Sequence, residues 1–167
     1  MLNQLRTLFF PPAREGHPTR VEEVPSPLQL YTGYEPADVD TLQRYAIVPA
    51  SLKGDHYVDG FGVKTLYECL PFVSPDALNL ARLRHPIPDD GVHAEGIEYV
   101  ALIDAIERFA TGGSFVAVEA GAGWGPWLAM AGVVCRSRGV KSIGLIGLEA
   151  SRERFALMRR HLDFNLL

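Results

Sequence analysis

The chain has 167 residues and a mass of 18.4 kDa, which predicts one domain or one domain with a short attachment. A hydrophobic fraction of 47% and a charged fraction of 22% exclude a wholly disordered chain. The net charge of −4 and a pI near 5.7 exclude an overall basic field for a nucleic-acid backbone, so no nucleic-acid partner is expected.

Residues 1–30 carry Pro11, Pro12, Pro18, Pro25 and Pro27 among charges. Proline removes amide donors and biases its predecessor toward extended shapes. The segment reads as a proline-rich arm with at most a short helix near Leu5–Phe10. The start lacks a basic region, a sustained apolar stretch and a small-residue cleavage site, so it is not read as a targeting signal. The most apolar later stretch, Pro126 to Cys135, is far below the roughly 20 residues that span a bilayer. A soluble, cytoplasmic protein with no membrane partner is the expectation.

Residues 31–92 read as an irregular α+β segment. Eleven of the twelve prolines lie at or before Pro88, while eleven of the sixteen glycines lie at or after Gly91. A short helix is expected around Asp38–Tyr45. His56–Asp59 and Val63–Tyr67 are β-type runs, and Gly60-Phe61-Gly62 between them can supply positive φ, which predicts a hairpin. Asp89-Asp90 reads as a loop.

Residues 93–167 give clearer signals. Tyr99, Leu102, Ile103, Ile106, Phe109 and Ala110 repeat as the apolar stripe of a helix that Gly112-Gly113 stops. Phe115–Glu119 reads as a buried strand. Pro126–Arg138 reads as a helix with proline in its first turn, where the missing donor costs nothing. Ile143–Leu148 reads as a second buried strand. Ser151 caps a last helix with Phe155, Met158 and Leu162 on one stripe. Two apolar strands joined by an apolar helix define a parallel βαβ unit with a right-handed crossover.

Val118-Glu119-Ala120-Gly121-Ala122-Gly123-Trp124-Gly125-Pro126 joins the first of these strands to its helix. Glycine lets a ligand approach the backbone, and the helix N-terminus offers amide donors. A dinucleotide loop needs its third glycine where Pro126 stands, and no Lys-Ser or Lys-Thr follows for a phosphate loop. Glu119 would repel a diphosphate and attract an amine. Glu149 lies 24 residues after Gly125, at the tip of the second strand, where a carboxylate can accept from both hydroxyls of a ribose. The alternatives are a tight turn without a ligand for the loop, a solvated strand end for Glu149, and a carboxylate bonded to local amides for Glu119.

Val118–Gly125 resembles the first motif of the class I S-adenosylmethionine-dependent methyltransferases, and Gly147-Leu148-Glu149-Ala150-Ser151 resembles their acidic second-strand motif. Arg154–Leu166 is similar to the following helix of the FkbM-type subgroup. The resemblance covers about residues 96–167. It implies an α/β fold: a Rossmann-like class I methyltransferase half-sheet preceded by the irregular, proline-rich segment. It also implies that S-adenosylmethionine is held by Glu119, Gly121, Ala122, Gly123, Trp124, Gly125, Glu149, Ala150 and Ser151. Glu119 and the loop would face the methionine part, and Glu149 the ribose. O-methyl transfer to a small-molecule or glycan-type acceptor is the implied reaction, with no general base assigned. That family continues for several more strands, so the chain is expected to be a fragment of a longer domain.

Trp127 is expected in the core, and Trp124 either in the core or at the pocket. His17, His56, His85, His93 and His161 show no metal spacing, so each reads as a surface or hydrogen-bonded residue and no metal is expected. Arg152, Arg154, Arg159 and Arg160 read as the wet face of the last helix. Cys69 and Cys135 form neither a metal pair nor a disulfide scaffold. Two competing readings are a non-catalytic remnant that associates through an exposed sheet edge and, more weakly, a nicotinamide oxidoreductase.

Overall fold

The computed structural model describes residues 34–47, 51–70 and 95–167. The proline-rich arm, its short helix near Leu5–Phe10, the Asp89-Asp90 loop, and His17, His85 and His93 lie outside the described residues.

Helix α1 (Pro36–Tyr45) begins two residues before the expected Asp38, with Pro36 in its first turn. The Glu35 amide donates to the Asp38 carboxylate at 3.1 Å. Helix α2 (Gly96–Phe109) starts with the same device, the Glu95 amide donating to Glu98 at 3.1 Å. The two helices pack against each other at Gly96, where a Cβ would come within 3.3 Å of Leu42 and of the Tyr34 hydroxyl.

The expected hairpin forms, and a short strand extends it. Strands β1 (Ser51–Leu52), β2 (His56–Val58) and β3 (Lys64–Leu66) make an antiparallel sheet in that order. Gly62, with φ 88°, is the turn glycine that needs the left-handed region. Asp59 organises the turn: its Oδ1 accepts the amides of Phe61 and Val63, each at 2.9 Å.

Strands β4 (Ser114–Ala120) and β5 (Ser142–Leu148) pair in parallel, from Ser114 opposite Ser142 to Ala120 opposite Leu148. Helix α3 (Pro126–Ser137) crosses between them, and α4 (Arg152–Phe164) follows β5. The fold is thus mixed α/β with a partial Rossmann-like half-sheet. Helix α3 is buried without a break from Leu128 to Cys135. It lies between the sheet and α2, with Trp127 packed 4.9 Å from the Tyr99 ring. Both cysteines are free and buried.

Three expectations need correction. The parallel strands are not buried on both faces. Phe115, Ala117, Ile143 and Leu145 face the helices, whereas Val116 and Val118 are each 63% exposed, Ile146 49% and Leu148 58%. Side chains alternate along a strand, and α2, α3 and α4 all pack on the same face. Phe109 is not on the α2 core stripe, being 72% exposed. At about 100° per residue it lies roughly 80° from Tyr99 on the far side from Val100, which is buried. Phe155 likewise stands at the exposed margin of α4, whose buried face is Met158 and His161, continued by Asn165 just past the helix end. Arg152, Arg154, Arg159 and Arg160 are exposed as expected, and Arg160 pairs with Glu68 of the hairpin segment.

Among the described residues no helix is long and apolar enough to cross a membrane.

Candidate functional site

The site is built where the carboxyl ends of β4 and β5 meet the amino ends of α3 and α4. Leaving β4, the chain turns over the tip of β5, and the amides of Gly121 and Ala122 donate to the Leu148 carbonyl at 2.8 and 2.9 Å. The Gly125 amide then closes on the Ala122 carbonyl at 2.6 Å and α3 begins. The turn alternates: Gly121, Gly123 and Gly125 take φ of 70°, 56° and 72°, a region that side chains disfavour.

The three glycines are not equivalent. A Cβ on Gly125 would lie 2.8 Å from Met158 Cγ, so glycine there also permits α4 to pack on the turn. A Cβ on Gly121 or Gly123 would meet nothing within 4 Å. Internal packing therefore does not require glycine at these two positions; backbone conformation does. Ala122 faces inward and is buried with Leu128 and Met158.

Glu149 holds the turn from the β5 side. Its Oε2 accepts the Gly123 amide at 2.7 Å, and its Oε1 accepts the Ser151 amide at 2.7 Å. These bonds, that from Ser151 foremost, hold the carboxyl below the usual range. Ser151 caps α4 by accepting the Arg154 amide at 3.3 Å, and Ala150 is exposed between them. A carboxylate offers about four acceptor positions and Glu149 uses two, so ligand hydroxyls can still be accepted.

Glu119 is placed differently. Its Oε2 accepts the Leu128 amide at 3.1 Å, in the first turn of α3. Burial pushes its carboxyl up, against the lowering effect of the Leu128 and Trp127 amides. The local-amide arrangement expected as its alternative role is therefore present. Trp124 packs on the hairpin segment: its ring joins Tyr57, Cys69 and Leu70 and lies 5.1 Å from the His161 ring.

Of two residues that brace the turn, Asn165 escaped the sequence reading, and His161, read as surface or hydrogen-bonded, is the hydrogen-bonded kind. His161 is fully buried, with Nδ1 3.0 Å from the Trp124 carbonyl and Nε2 3.0 Å from the Lys64 carbonyl. Asn165 accepts the Lys64 amide at 2.9 Å and donates to the Lys64 carbonyl at 2.8 Å. Their spacing of four places them on the Met158 face, which a helical wheel centred on Met158 rather than Phe155 would have revealed.

The architecture and the turn thus define an α/β half-sheet with a glycine turn and an acidic strand tip side by side at the carboxyl ends of β4 and β5. Over 80 residues, 48% of its length, the chain is 35% identical to a protein of Jannaschia sp. (strain CCS1) described as "Putative methyltransferase". That stretch relates the chain to a methyltransferase and takes in 27% of the relative's length. No family model matches the chain, and no solved structure matches it.

Proposed function

We propose that this chain carries the first half of the S-adenosylmethionine site of a class I methyltransferase, of the FkbM type, that methylates an oxygen acceptor. The observation that carries the reading is the Glu149 carboxylate, held 2.7 Å from the Gly123 amide at the tip of β5. In this reading the carboxylate is the acceptor for ribose hydroxyls, beside a bare backbone turn. The similarity to the Jannaschia protein supports the methyl-transfer chemistry.

In this reading Gly121, Ala122, Gly123, Trp124 and Gly125 present backbone toward the ligand, and Ala150 and Ser151 edge the ribose side. Glu119 sets the α3 start and adds negative charge near the methionine amine. The bound cofactor would supply a sulfonium methyl for in-line displacement. The protein's contribution is orientation and electrostatics.

The test is calorimetric titration of the chain with S-adenosylhomocysteine. Saturable binding, lost in Gly123→Asn, supports the reading. Asparagine tolerates the left-handed region, and its side chain would project from the turn without disturbing its packing. No binding by a folded chain, or equal binding by the variant, refutes it.

The open apolar face of Val116, Val118, Ile146 and Leu148 favours a second reading, in which the half-sheet associates with another polypeptide. Light scattering separates the two: a monomer with cooperative melting and ligand binding excludes association as the chain's role.

A further inference from the structure

Helices α2, α3 and α4 cover one side of β4 and β5. On the other side the register sets Val116 beside Gly144, Val118 beside Ile146 and Ala120 beside Leu148. Val116, Val118, Ile146 and Leu148 are exposed there, and none of the six residues is charged or polar. A sheet side built for water carries polar residues, and parallel sheets are as a rule covered on both sides. The dimensions of this face select what can cover it. From Val116 to Ala120 it runs about 13 Å, at roughly 3.3 Å per residue, and its two strands lie about 4.8 Å apart. One helix, about 10 Å across and about nine residues long, matches both dimensions. Two copies of the face packed together would bury only a few hundred Å² each, short of the roughly 800 Å² per partner of a standard interface.

Outside the described residues, the sequence Met1–Phe9 has the spacing that such a helix needs. At about 100° per residue, Met1, Leu2, Leu5, Leu8 and Phe9 fall within an arc of about 120°, and Asn3, Gln4, Arg6 and Thr7 take the remainder. Pro11 disfavours helix at Phe10 and so ends the stripe at Phe9. At about 1.5 Å per residue this length is about 13 Å, the run of the open face. The leucine-bearing stretch Ala77–Leu83, by contrast, spreads its apolar residues over about 220°. Residues 10–33 reach about 80 Å when extended. A domain of this size is about 40 Å across, so the connection is long enough to bring Met1–Phe9 to either side of the sheet.

We propose that Met1–Phe9 docks as an amphipathic helix on the open face of β4 and β5, so that the chain covers its own half-sheet. A helix this short is marginal by itself in water, so it folds as it docks. Its polar arc faces solvent and its apolar arc meets Val116, Val118, Ile146 and Leu148. Release of the segment opens a face that other polypeptides can cover. Docking needs no ligand at the glycine turn, so it stands or falls apart from the S-adenosylmethionine reading.

The test is photo-cross-linking of the full chain with p-benzoylphenylalanine in place of Val118, an exposed position outside the core. Mass spectrometry should find the label joined to residues 1–10 of the same chain, in a yield independent of protein concentration. The double substitution Leu5→Asp and Phe9→Asp should abolish that product. Joining to residues 71–94, joining to a second copy, no peptide product at all, or a product that survives the double substitution each overturns the proposal. A second measurement needs no label on the face. In the chain with Leu5→Asp and Phe9→Asp, the methyl resonances of Val116, Val118 and Ile146 should shift from their wild-type positions, while those of the core residues Ile103 and Leu128 stay in place. Face methyls that do not move overturn the proposal.

Discussion

Two tight turns in this molecule use the same device and titrate in opposite directions. At the β2–β3 turn, Asp59 accepts the amides of Phe61 and Val63; at the glycine turn, Glu149 accepts those of Gly123 and Ser151. Asp59 is buried, and burial pushes its carboxyl up to about 7 despite those amides. Glu149 stays half-exposed, and its amides hold it low. Solvent makes the difference, because desolvation penalises the charged form and hydrogen bonding favours it. The hairpin turn is closed and serves structure. The glycine turn stays reachable from solvent at Gly121 and Glu149.

The largest effect should come from emptying the closed turn. Asp59→Ala leaves the Phe61 and Val63 amides without their acceptor in a buried site, at about 1–3 kcal/mol for each buried group left unsatisfied. Chemical denaturation should therefore show a loss of about 3 kcal/mol. A loss near zero would mean that water reaches the turn, and the contrast with Glu149 would collapse.

Next in size are the glycines of the open turn. Gly125→Ala combines a φ of 72° with a Cβ 2.8 Å from Met158 Cγ. It should cost about 2–3 kcal/mol, the left-handed region alone accounting for about 1–2. Gly121→Ala carries the conformational cost alone. Equal losses in the two variants would show that Met158 yields freely.

The pH dependence comes third and has a definite sign. Asp59 has a higher pKa folded, about 7, than its ordinary 3.8. The folded chain binds the extra proton between these values. Its contribution is complete below pH 3.8 and is lost as pH rises to about 7. Wild type should thus lose stability relative to Asp59→Asn over that window, on the order of a few kcal/mol. Asparagine keeps the acceptor oxygen and cannot ionise. A parallel pair of stability curves would place Asp59 in contact with water.

The legible parts of this chain were those set by local chemistry. The hairpin followed from two β-type runs around Gly62, and the parallel unit from strand, glycine turn, proline-started helix and strand. Glu149 was placed at the strand tip by the apolar run Ile143–Leu148 that it follows and by its distance from Gly125. The parts that escaped depend on which direction a helix faces. Phe109 and Phe155 are large and apolar yet stand at the margins of their stripes, while His161 occupies the buried face of α4 and Asn165 continues it. A hydrophobic pattern weights phenylalanine over histidine. It cannot know that the facing surface consists of main-chain carbonyls, which want donors. For the same reason the apolar run Phe115–Val118 did not disclose that alternate residues remain open.

The smallest stability change, and the sharpest test of the comparison, belongs to Glu149→Gln. The amide side chain keeps one acceptor oxygen and turns a donor toward either the Gly123 or the Ser151 N–H. In a closed turn that mismatch would be severe. Here solvent can take over the abandoned amide, so the denaturation midpoint should stay near that of wild type. The loss should appear in binding instead. A charge-assisted acceptor for ribose hydroxyls is replaced by a neutral one, and S-adenosylhomocysteine affinity should fall about tenfold. If stability falls as far as in Asp59→Ala, Glu149 is a structural clamp like Asp59. If affinity is unchanged while stability holds, the acidic strand tip plays no part in recognising the ligand.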